Sequence, residues 1–158
     1  MFGKLNDVEI EAVIQQQPVG RIGCHADDLT YVVPISYAYD GTYIYAHTSE
    51  GMKINMMRKN PRICFQTDNL NDLSNWQSVV LWGEFEELTG EPERTEALQK
   101  LIERKLPFIS SETMRLAVRW PFQDADDVSK ISGIVFRIRV TEKTGRFERA
   151  KDRNFFAT

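Results

Sequence analysis

The dipeptide Asp40-Gly41 separates two runs that are rich in β-branched and aromatic residues, at positions 30–39 and 42–47. Asp-Gly between such runs is a strong hairpin signal, because both central residues of a type I′ turn need a positive φ. We therefore expect a long antiparallel hairpin here. Side chains of a strand alternate between its two faces, so one face of the first strand should carry Tyr31, Val33, Ile35, Tyr37 and Tyr39.

Other β-rich runs accompany this hairpin, and few helices separate them. These runs lie at residues 19–24, 62–68, 76–88 and 133–140. Gly83, inside a long run, indicates a β-bulge or a close approach of two backbones, and the polar stretch 69–75 is expected to be a loop. Short connections favour an antiparallel sheet, and closure into a barrel removes exposed strand edges. The pattern predicts a mainly β fold with a few helices, formed as one domain by residues 1–158.

Three helices are predicted, at residues 7–16, 52–59 and 91–105. In the first, Asn6 and Glu9 have the spacing of a capping box, in which each side chain accepts a hydrogen bond from the other residue's backbone N–H. Its buried face is expected to carry Val8, Val13 and Ile14. The stretch 107–130 gives no clear secondary-structure signal.

Composition limits the classes of partner. The net charge is −3, so the chain lacks the basic excess that typically accompanies nucleic-acid binding. No apolar run approaches the roughly 20 residues of a membrane helix, and the first residues lack the layout of a secretion signal. Cys24 and Cys64 have no metal-ligand spacing, and only two histidines are present, so we expect no metal site and reduced thiols in a cytoplasmic protein.

One strand–turn–helix segment has the chemistry of an anion site. A β-run ends at His47-Thr48, and a helix begins at Met52-Lys53 after a turn of small and polar residues. Backbone N–H groups at a helix N-terminus favour negative charge, and Lys53 with a hydroxyl group can add hydrogen bonds to a phosphate. The alternative is an ordinary N-cap by Ser49 with a solvated lysine. No side-chain catalytic set is recognisable elsewhere.

The order and spacing of these segments resemble the pyridoxamine-phosphate-oxidase-like flavoproteins, and within them the nitroimidazole-resistance branch. The resemblance is close over residues 20–88 and looser in the remainder. The matching segments are Tyr31-Val-Val-Pro-Ile-Ser-Tyr37, Asp40-Gly41, Tyr45-Ala-His-Thr48, Gly51-Met-Lys53, Asn60-Pro-Arg62 and Trp76-Gln-Ser-Val-Val-Leu-Trp-Gly83.

The resemblance implies a six-stranded antiparallel split β-barrel that works as a homodimer, with FMN bound in clefts between the two subunits. It also implies three groups of cofactor-binding residues. The isoalloxazine ring would lie beside Val32, Val33, Pro34, Ile35 and Ser36. The phosphate would be held by His47, Thr48 and Lys53. A further flavin contact would come from the strand that begins with Trp76, Gln77 and Ser78.

The function implied is that of an FMN-dependent oxidoreductase, which passes electrons from a nicotinamide to a small aromatic acceptor such as a nitro compound or a quinone. The alternative is a non-catalytic module that binds a flavin, a haem or a deazaflavin. True pyridoxamine-phosphate oxidases carry basic residues at the positions of Tyr31 and Ser36, so oxidation of vitamin B6 is not expected. Tyr37, Trp76 and Trp120 are expected to stack on a flat substrate, and residues 107–130 to line or cover its pocket.

Overall fold

The computed structural model describes residues 1–104 and 128–150. Eight strands and three α-helices make up this part of the chain, with one short 3₁₀ turn before the last strand. In chain order they are β1 (Phe2–Lys4), α1 (Asp7–Gln16), β2 (Val19–Ala26), β3 (Leu29–Ser36), β4 (Ala38–Tyr39), β5 (Tyr43–Thr48), α2 (Met52–Lys59), β6 (Arg62–Asp72), β7 (Asn75–Glu87), α3 (Glu93–Glu103), the 3₁₀ turn (Val128–Lys130) and β8 (Ile134–Glu148).

All strand pairs are antiparallel, in the order β3-β2-β6-β7-β8-β5-β4, and β1 pairs with β8. The prediction of a mainly β, antiparallel split barrel with few helices is confirmed. The strand count differs, because eight strands replace the expected six. The additional β1 and β4 have three and two residues, which is too short for an alternating pattern to show in the sequence.

The predicted long hairpin is wrong in its extent. The run 30–39 divides into β3 and β4, and only Ala38 and Tyr39 pair with β5. β3 instead forms a hairpin with β2 through Asp27 and Asp28, which both have positive φ, at 51° and 62°. In the Asp-Gly turn only Gly41 has a positive φ, at 95°. A turn signal shows where the chain reverses, but it does not determine how far the two flanking strands pair.

Two other strand limits differ from the prediction. The expected loop at 69–75 is a tight hairpin, since β6 continues to Asp72 and β7 begins at Asn75. The Asp72 carboxylate stabilises this turn by accepting hydrogen bonds from Ser74 N, at 2.7 Å, and from the Asn75 side chain. The last strand also continues past the predicted end at 140 as far as Glu148.

The two local predictions in β7 and α1 are confirmed. The pairing of β7 with β8 shifts register between Trp82 and Gly83, as expected of a bulge. At the start of α1, Glu9 N donates to Asn6 Oδ1 and Asn6 N donates to Glu9 Oε2, both at 2.9 Å. The buried face of α1 differs in one residue, because Val8 is 79% exposed and Ile10 takes its place in the core.

The core has two parts. The interior of the barrel holds large side chains that are fully buried, among them Phe65, Phe136, Ile22, Ile44 and Leu81. α1 packs its apolar face into this cluster, whereas α3 packs Leu98 and Leu101 against Tyr45 and Val135 on the other face of β5 and β8. Within the described residues, no helix has both the length and the apolar character that crossing a membrane requires.

The Asp40 carboxylate ties the β4–β5 turn to α3. Its Oδ1 accepts from Thr42 N and Tyr43 N, at 2.9 and 2.8 Å, and its Oδ2 accepts from Tyr45 Oη and Lys100 Nζ, at 2.8 and 2.9 Å. Partial burial opposes ionisation of Asp40, but these hydrogen bonds outweigh it and lower the carboxyl pKa to about 2.

We expect Asp40 to stabilise the fold above about pH 4 and to lose this effect as the pH falls toward 2. The pKa is about 2 in the folded protein against an ordinary 3.8, so acid protonates the unfolded chain first. Asp40→Asn should lower the free energy of unfolding at neutral pH by about 1–2 kcal/mol, allowing for solvent screening at this turn. Urea titrations of both proteins, at neutral pH and just above pH 2, should show a difference that shrinks in acid. An equal difference in the free energy of unfolding at both pH values would show that ionised Asp40 does not stabilise the fold.

Candidate functional site

The strand–turn–helix segment forms as predicted. β5 ends at Thr48 and α2 begins at Met52, with Gly51 as the N-cap residue. Among residues 1–104 and 128–150, no side chain caps this helix, so the N-cap by Ser49, the alternative considered for this turn, is absent. The N–H groups of the first helical turn therefore have no side-chain acceptor in the described part of the chain, and the helix dipole is positive at this end.

The carboxylate in this turn is held away from the helix N-terminus. Arg58 NH1 and NH2 donate to the two oxygens of Glu50, both at 2.9 Å. The same guanidinium donates through Nε and NH2 to Glu87, at 2.9 and 2.7 Å. The hydrogen bonds that Arg58 donates to Glu87, and next those to Glu50, raise the pKa of Arg58. The Glu50 charge in this turn is thereby paired with Arg58.

Lys53 lies half-buried in the first turn of α2. Among residues 1–104 and 128–150, its ammonium group has neither a hydrogen-bond acceptor nor an ion-pair partner. Burial lowers the pKa of Lys53, and the nearby Cys24 thiol opposes this shift. A half-buried cation without an anion is unfavourable for the folded state. A bound anion at this position would remove that penalty.

His47 and Thr48 end β5 beside this turn. His47 Nε2 lies 2.6 Å from the carbonyl oxygen of Ser132, so this ring nitrogen carries a proton and donates to the loop before β8. The imidazole therefore positions that loop, and its Nε2 is not available to a phosphate in this conformation. Thr48 is half-buried and stands opposite Ile134 in the β5–β8 pair.

β3 is an edge strand, since only β2 pairs with it among the described strands. Its predicted ring-contact residues point to two faces. Val33 and Ile35 point into the barrel, whereas Val32, which is 60% exposed, and Pro34 point outward. The Ser36 hydroxyl donates to the carbonyl oxygen of Pro18, at 3.5 Å. A flat ligand along this strand would meet the outward side chains or the unpaired backbone edge.

The three predicted residues at the start of β7 lie apart from β3. β2 and β6 stand between the two strands, so three strand spacings separate them, about 14 Å in all. Trp76 Nε1 donates to Glu148 Oε2 at 3.2 Å, and Ser78 Oγ accepts from Gln66 Nε2 at 3.0 Å, while Gln77 is half-buried. In one protomer, residues 76–78 therefore lie away from the β3 residues, whereas Leu29 of β3 and Met52 of α2 line one groove.

The expected stacking role of Tyr37 is wrong. Tyr37 is buried in the core, where its hydroxyl donates to the carbonyl oxygen of Ile14 at 2.7 Å and its ring packs edge-on against Phe65. Burial raises the pKa of its hydroxyl to about 12. Alternation predicted that Tyr37 shares a face with Val33 and Ile35 but could not show that this face is buried. Trp120 and most of the stretch 107–130 lie outside the described residues.

Two features of this region were not predicted. The fork from Arg58 to Glu50 and Glu87 joins residues eight and 29 positions apart, so no local spacing reveals it. Leu29 and Asp27, which lie outside the predicted β-runs, line a groove beside α2. Only the β2–β3 hairpin, which the positive φ values at Asp27 and Asp28 permit, brings them there.

Comparison with known proteins identifies a family and several solved structures to which this chain is similar. The model of a family described as pyridoxamine 5'-phosphate oxidase matches residues 6–147. An uncharacterized protein of Rhizobium meliloti (strain 1021) is 36% identical over 80 residues, which are 51% of this chain and 53% of that protein. The match thus spans about half of the length of that curated relative.

Solved structures share the fold over most of the chain. A FAD-binding protein from Mesorhizobium loti is 29% identical, with a TM-score of 0.70 over 93% of this chain and 98% of that one. A candidate 5-nitroimidazole antibiotic resistance protein from Bacteroides thetaiotaomicron is 19% identical, with a TM-score of 0.70 over 93% and 87%. A FAD-binding protein from Mycobacterium smegmatis is 20% identical, with a TM-score of 0.65 over 94% and 100%. The last two similarities concern the fold alone.

Proposed function

Since the chain belongs to the pyridoxamine 5'-phosphate oxidase family, we propose that it binds a flavin and acts as a flavin-dependent oxidoreductase. The observation that carries the proposal is the half-buried Lys53 ammonium, which has no counter-ion among the described residues and lies at the uncapped N-terminus of α2. FMN is the proposed cofactor. FAD contains the same isoalloxazine ring, ribityl chain and phosphate. The similar structure from Mesorhizobium loti, described as a FAD-binding protein, supports the flavin class.

The phosphate of the flavin would be held by Lys53, by the N–H groups of the first turn of α2 and by the Thr48 hydroxyl. Each of these groups donates hydrogen bonds, and two of them carry positive charge or the positive end of a dipole. The Arg58 fork keeps Glu50 from competing for the same donors. His47 would assist indirectly, because it holds the loop before β8.

The isoalloxazine would lie along the outer edge of β3. Pro34 has no N–H, so it adds no unpaired backbone donor to this edge, and Val32 offers an apolar surface for the ring. Residues 76–78 of the same protomer are too far away to touch this ring. We therefore propose a homodimer in which residues 76–78 of a second copy complete the site.

The chemistry proposed is transfer of electrons from a nicotinamide to a small aromatic acceptor, such as a nitro compound or a quinone. The flavin, when bound, supplies the redox chemistry, and the chain's own residues bind and orient it. The resemblance of the segments within residues 20–88 to the nitroimidazole-resistance branch is the reason for choosing this class of acceptor. Tyr31 and Ser36 carry no charge, so this edge lacks the cations that a phosphorylated vitamin B6 substrate would need.

The first test is the absorption spectrum of the purified protein, before and after incubation with FMN and desalting. We expect retained flavin bands, and a rise in stability of about 2.7 kcal/mol when free FMN is at 100 times its Kd. A colourless protein whose melting temperature does not change on addition of FMN or FAD would refute flavin binding. A Soret band would favour the haem alternative.

Catalysis needs a separate test. Under anaerobic conditions, NADH or NADPH should bleach the bound flavin, and a quinone or nitroaromatic compound should restore its colour. Bleaching by dithionite but by neither nicotinamide would replace the oxidoreductase proposal with a non-catalytic binding module.

A further inference from the structure

The outward face of four neighbouring strands carries an apolar row. Val32 on β3 pairs with Gly23 on β2, which in turn pairs with Cys64 on β6. Cys64 pairs with Trp82 on β7. Directly paired residues share one face of a sheet, so these four positions form a row that crosses β3, β2, β6 and β7. A Cβ atom on Gly23 would lie 2.8 Å from Cys64 Sγ, so the thiol covers the glycine and makes the row continuous.

This row is exposed although it is apolar. Val32 is 60% exposed and Trp82 is 40% exposed. Of the helices in residues 1–104 and 128–150, α1 and α2 bury their apolar side chains in the barrel interior, and α3 packs on β5 and β8. An exposed tryptophan within an apolar row on a sheet face is typical of a surface that binds another protein.

The polar residues beside the row favour a second copy of this chain as the partner. Arg21 on β2 and Asp68 on β6 have opposite charges, and Arg21 NH1 lies 3.4 Å from Asp68 Oδ2. The same NH1 donates to Gln66 Oε1 at 3.3 Å. A face with one charge of each sign can meet a copy of itself without net repulsion when β2 lies opposite β6. Nucleic acid would instead need a cationic excess.

Symmetry limits how two copies of this face can meet. Two sheets that pack face to face in a symmetric dimer are related by a two-fold axis in the plane between them. An axis across the strands places each strand opposite its own copy. An axis along the strands, between β2 and β6, instead places β3 opposite β7 and β2 opposite β6. Only this second arrangement brings residues 76–78 of one copy toward β3 of the other.

The registers then specify which residues meet. Rotation about an axis along the strands keeps each residue in its own row, so Val32 lies opposite Trp82 of the second copy. Four residues further along β3 and β7, Ser36 and Ser78 occupy corresponding positions. Ser78 of the second copy therefore lies opposite Ser36, at the end of the proposed ring-contact segment.

We propose that the outward face of β3, β2, β6 and β7 is a homodimer interface whose two-fold axis runs along the strands between β2 and β6. Trp82 of each copy packs against Val32 of the other. The inference rests on the proposed function, because the homodimer proposed there determines the direction of the axis. It adds the surface, the symmetry and the residue contacts.

Sedimentation velocity of the full-length, flavin-free protein at several concentrations tests the interface. We expect a dimer for the parent protein. Val32→Lys and Trp82→Glu should each raise the dimer dissociation constant at least about 100-fold, because each substitution occurs twice in a symmetric interface. Both side chains are exposed, so circular dichroism should show intact folds. Leu73→Glu is the matched control, because Leu73 is 89% exposed on the β6–β7 turn, outside the row.

The double variant Val32→Lys/Trp82→Glu tests the direction of the axis. With the axis along the strands, the introduced lysine of one copy meets the introduced glutamate of the other, so dimerisation should recover by at least about tenfold over either single variant. With the axis across the strands, like charges would meet and the dimer would not recover. The two charges cannot pair within one protomer, because three strand spacings, about 14 Å, separate β3 from β7.

The outcomes separate this inference from the proposed function. Loss of the dimer in both single variants, with recovery in the double variant and no effect of Leu73→Glu, supports the interface. A dimer that persists in both single variants overturns the interface, while the proposed homodimer stands. Loss without recovery overturns the direction of the axis. A parent protein that is monomeric but retains flavin overturns the interface and the homodimer together, and leaves flavin binding in place.

Discussion

Gly83→Ala is expected to destabilise the fold by roughly 2–4 kcal/mol, because no space exists for a side chain at the β7 bulge. A Cβ atom there would lie 2.5 Å from the carbonyl oxygen of Arg139 and 2.7 Å from Cγ2 of Ile138. Both neighbours belong to β8, which pairs with β7 along nearly its whole length. The clash therefore involves backbone that cannot move without breaking the longest strand pair of the barrel.

Urea denaturation at neutral pH measures this effect, and Gly90→Ala is the matched control. Gly90 lies in the connection before α3, and the nearest atom to its Cβ would be Glu93 Oε2 at 4.0 Å. The control should unfold within about 0.5 kcal/mol of the parent protein. If both variants unfolded at the same denaturant concentration, the close approach at the bulge would not be a constraint on the fold.

Lys53→Met is expected to weaken flavin binding by about 1.5–3 kcal/mol, or roughly 10- to 150-fold, as for the loss of a charge-assisted hydrogen bond. The same change should not lower the stability of the flavin-free protein. Burial lowers the pKa of Lys53, which means that the charged side chain destabilises the flavin-free protein. Methionine keeps most of the apolar length of the lysine side chain. Loss of binding with unchanged or higher stability is typical of a ligand-binding residue.

Fluorescence titration gives the affinity, and thermal unfolding of the flavin-free protein gives the stability. Lys4→Met controls for the loss of one positive charge, because Lys4 is exposed on β1. Unchanged affinity in the Lys53 variant would place the phosphate elsewhere. A lower melting temperature with intact affinity would make Lys53 a structural residue.

Features that depend on a few neighbouring residues could be predicted from the sequence. The capping box at Asn6 and Glu9 forms within one helical turn, and the Gly83 bulge follows from the absence of a side chain. α2 forms at the predicted residues 52–59, because its helical pattern and the turn before it are local as well. The ordered series of such segments was also sufficient to indicate the family.

Pairing over long distances could not be predicted in the same way. The Asp-Gly signal identified a turn, but the tertiary structure paired β3 with β2 and left only two residues of β4 to pair with β5. Alternation predicted that Tyr37 shares a face with Val33 and Ile35, but its burial depends on tertiary packing against Phe65 and a hydrogen bond to Ile14. Strand partners are chosen by the burial of the whole sheet, which no single segment encodes.

The candidate site shows the same division. A β-strand, a small-residue turn and a helix bearing Lys53 follow one another in the chain, so their proximity could be predicted from the sequence alone. Only the tertiary structure turned Glu50 toward Arg58, tied His47 to Ser132, separated residues 76–78 from β3, and placed Leu29 across a groove from Met52. These arrangements involve residues from different elements, so they depend on which strands pair with each other.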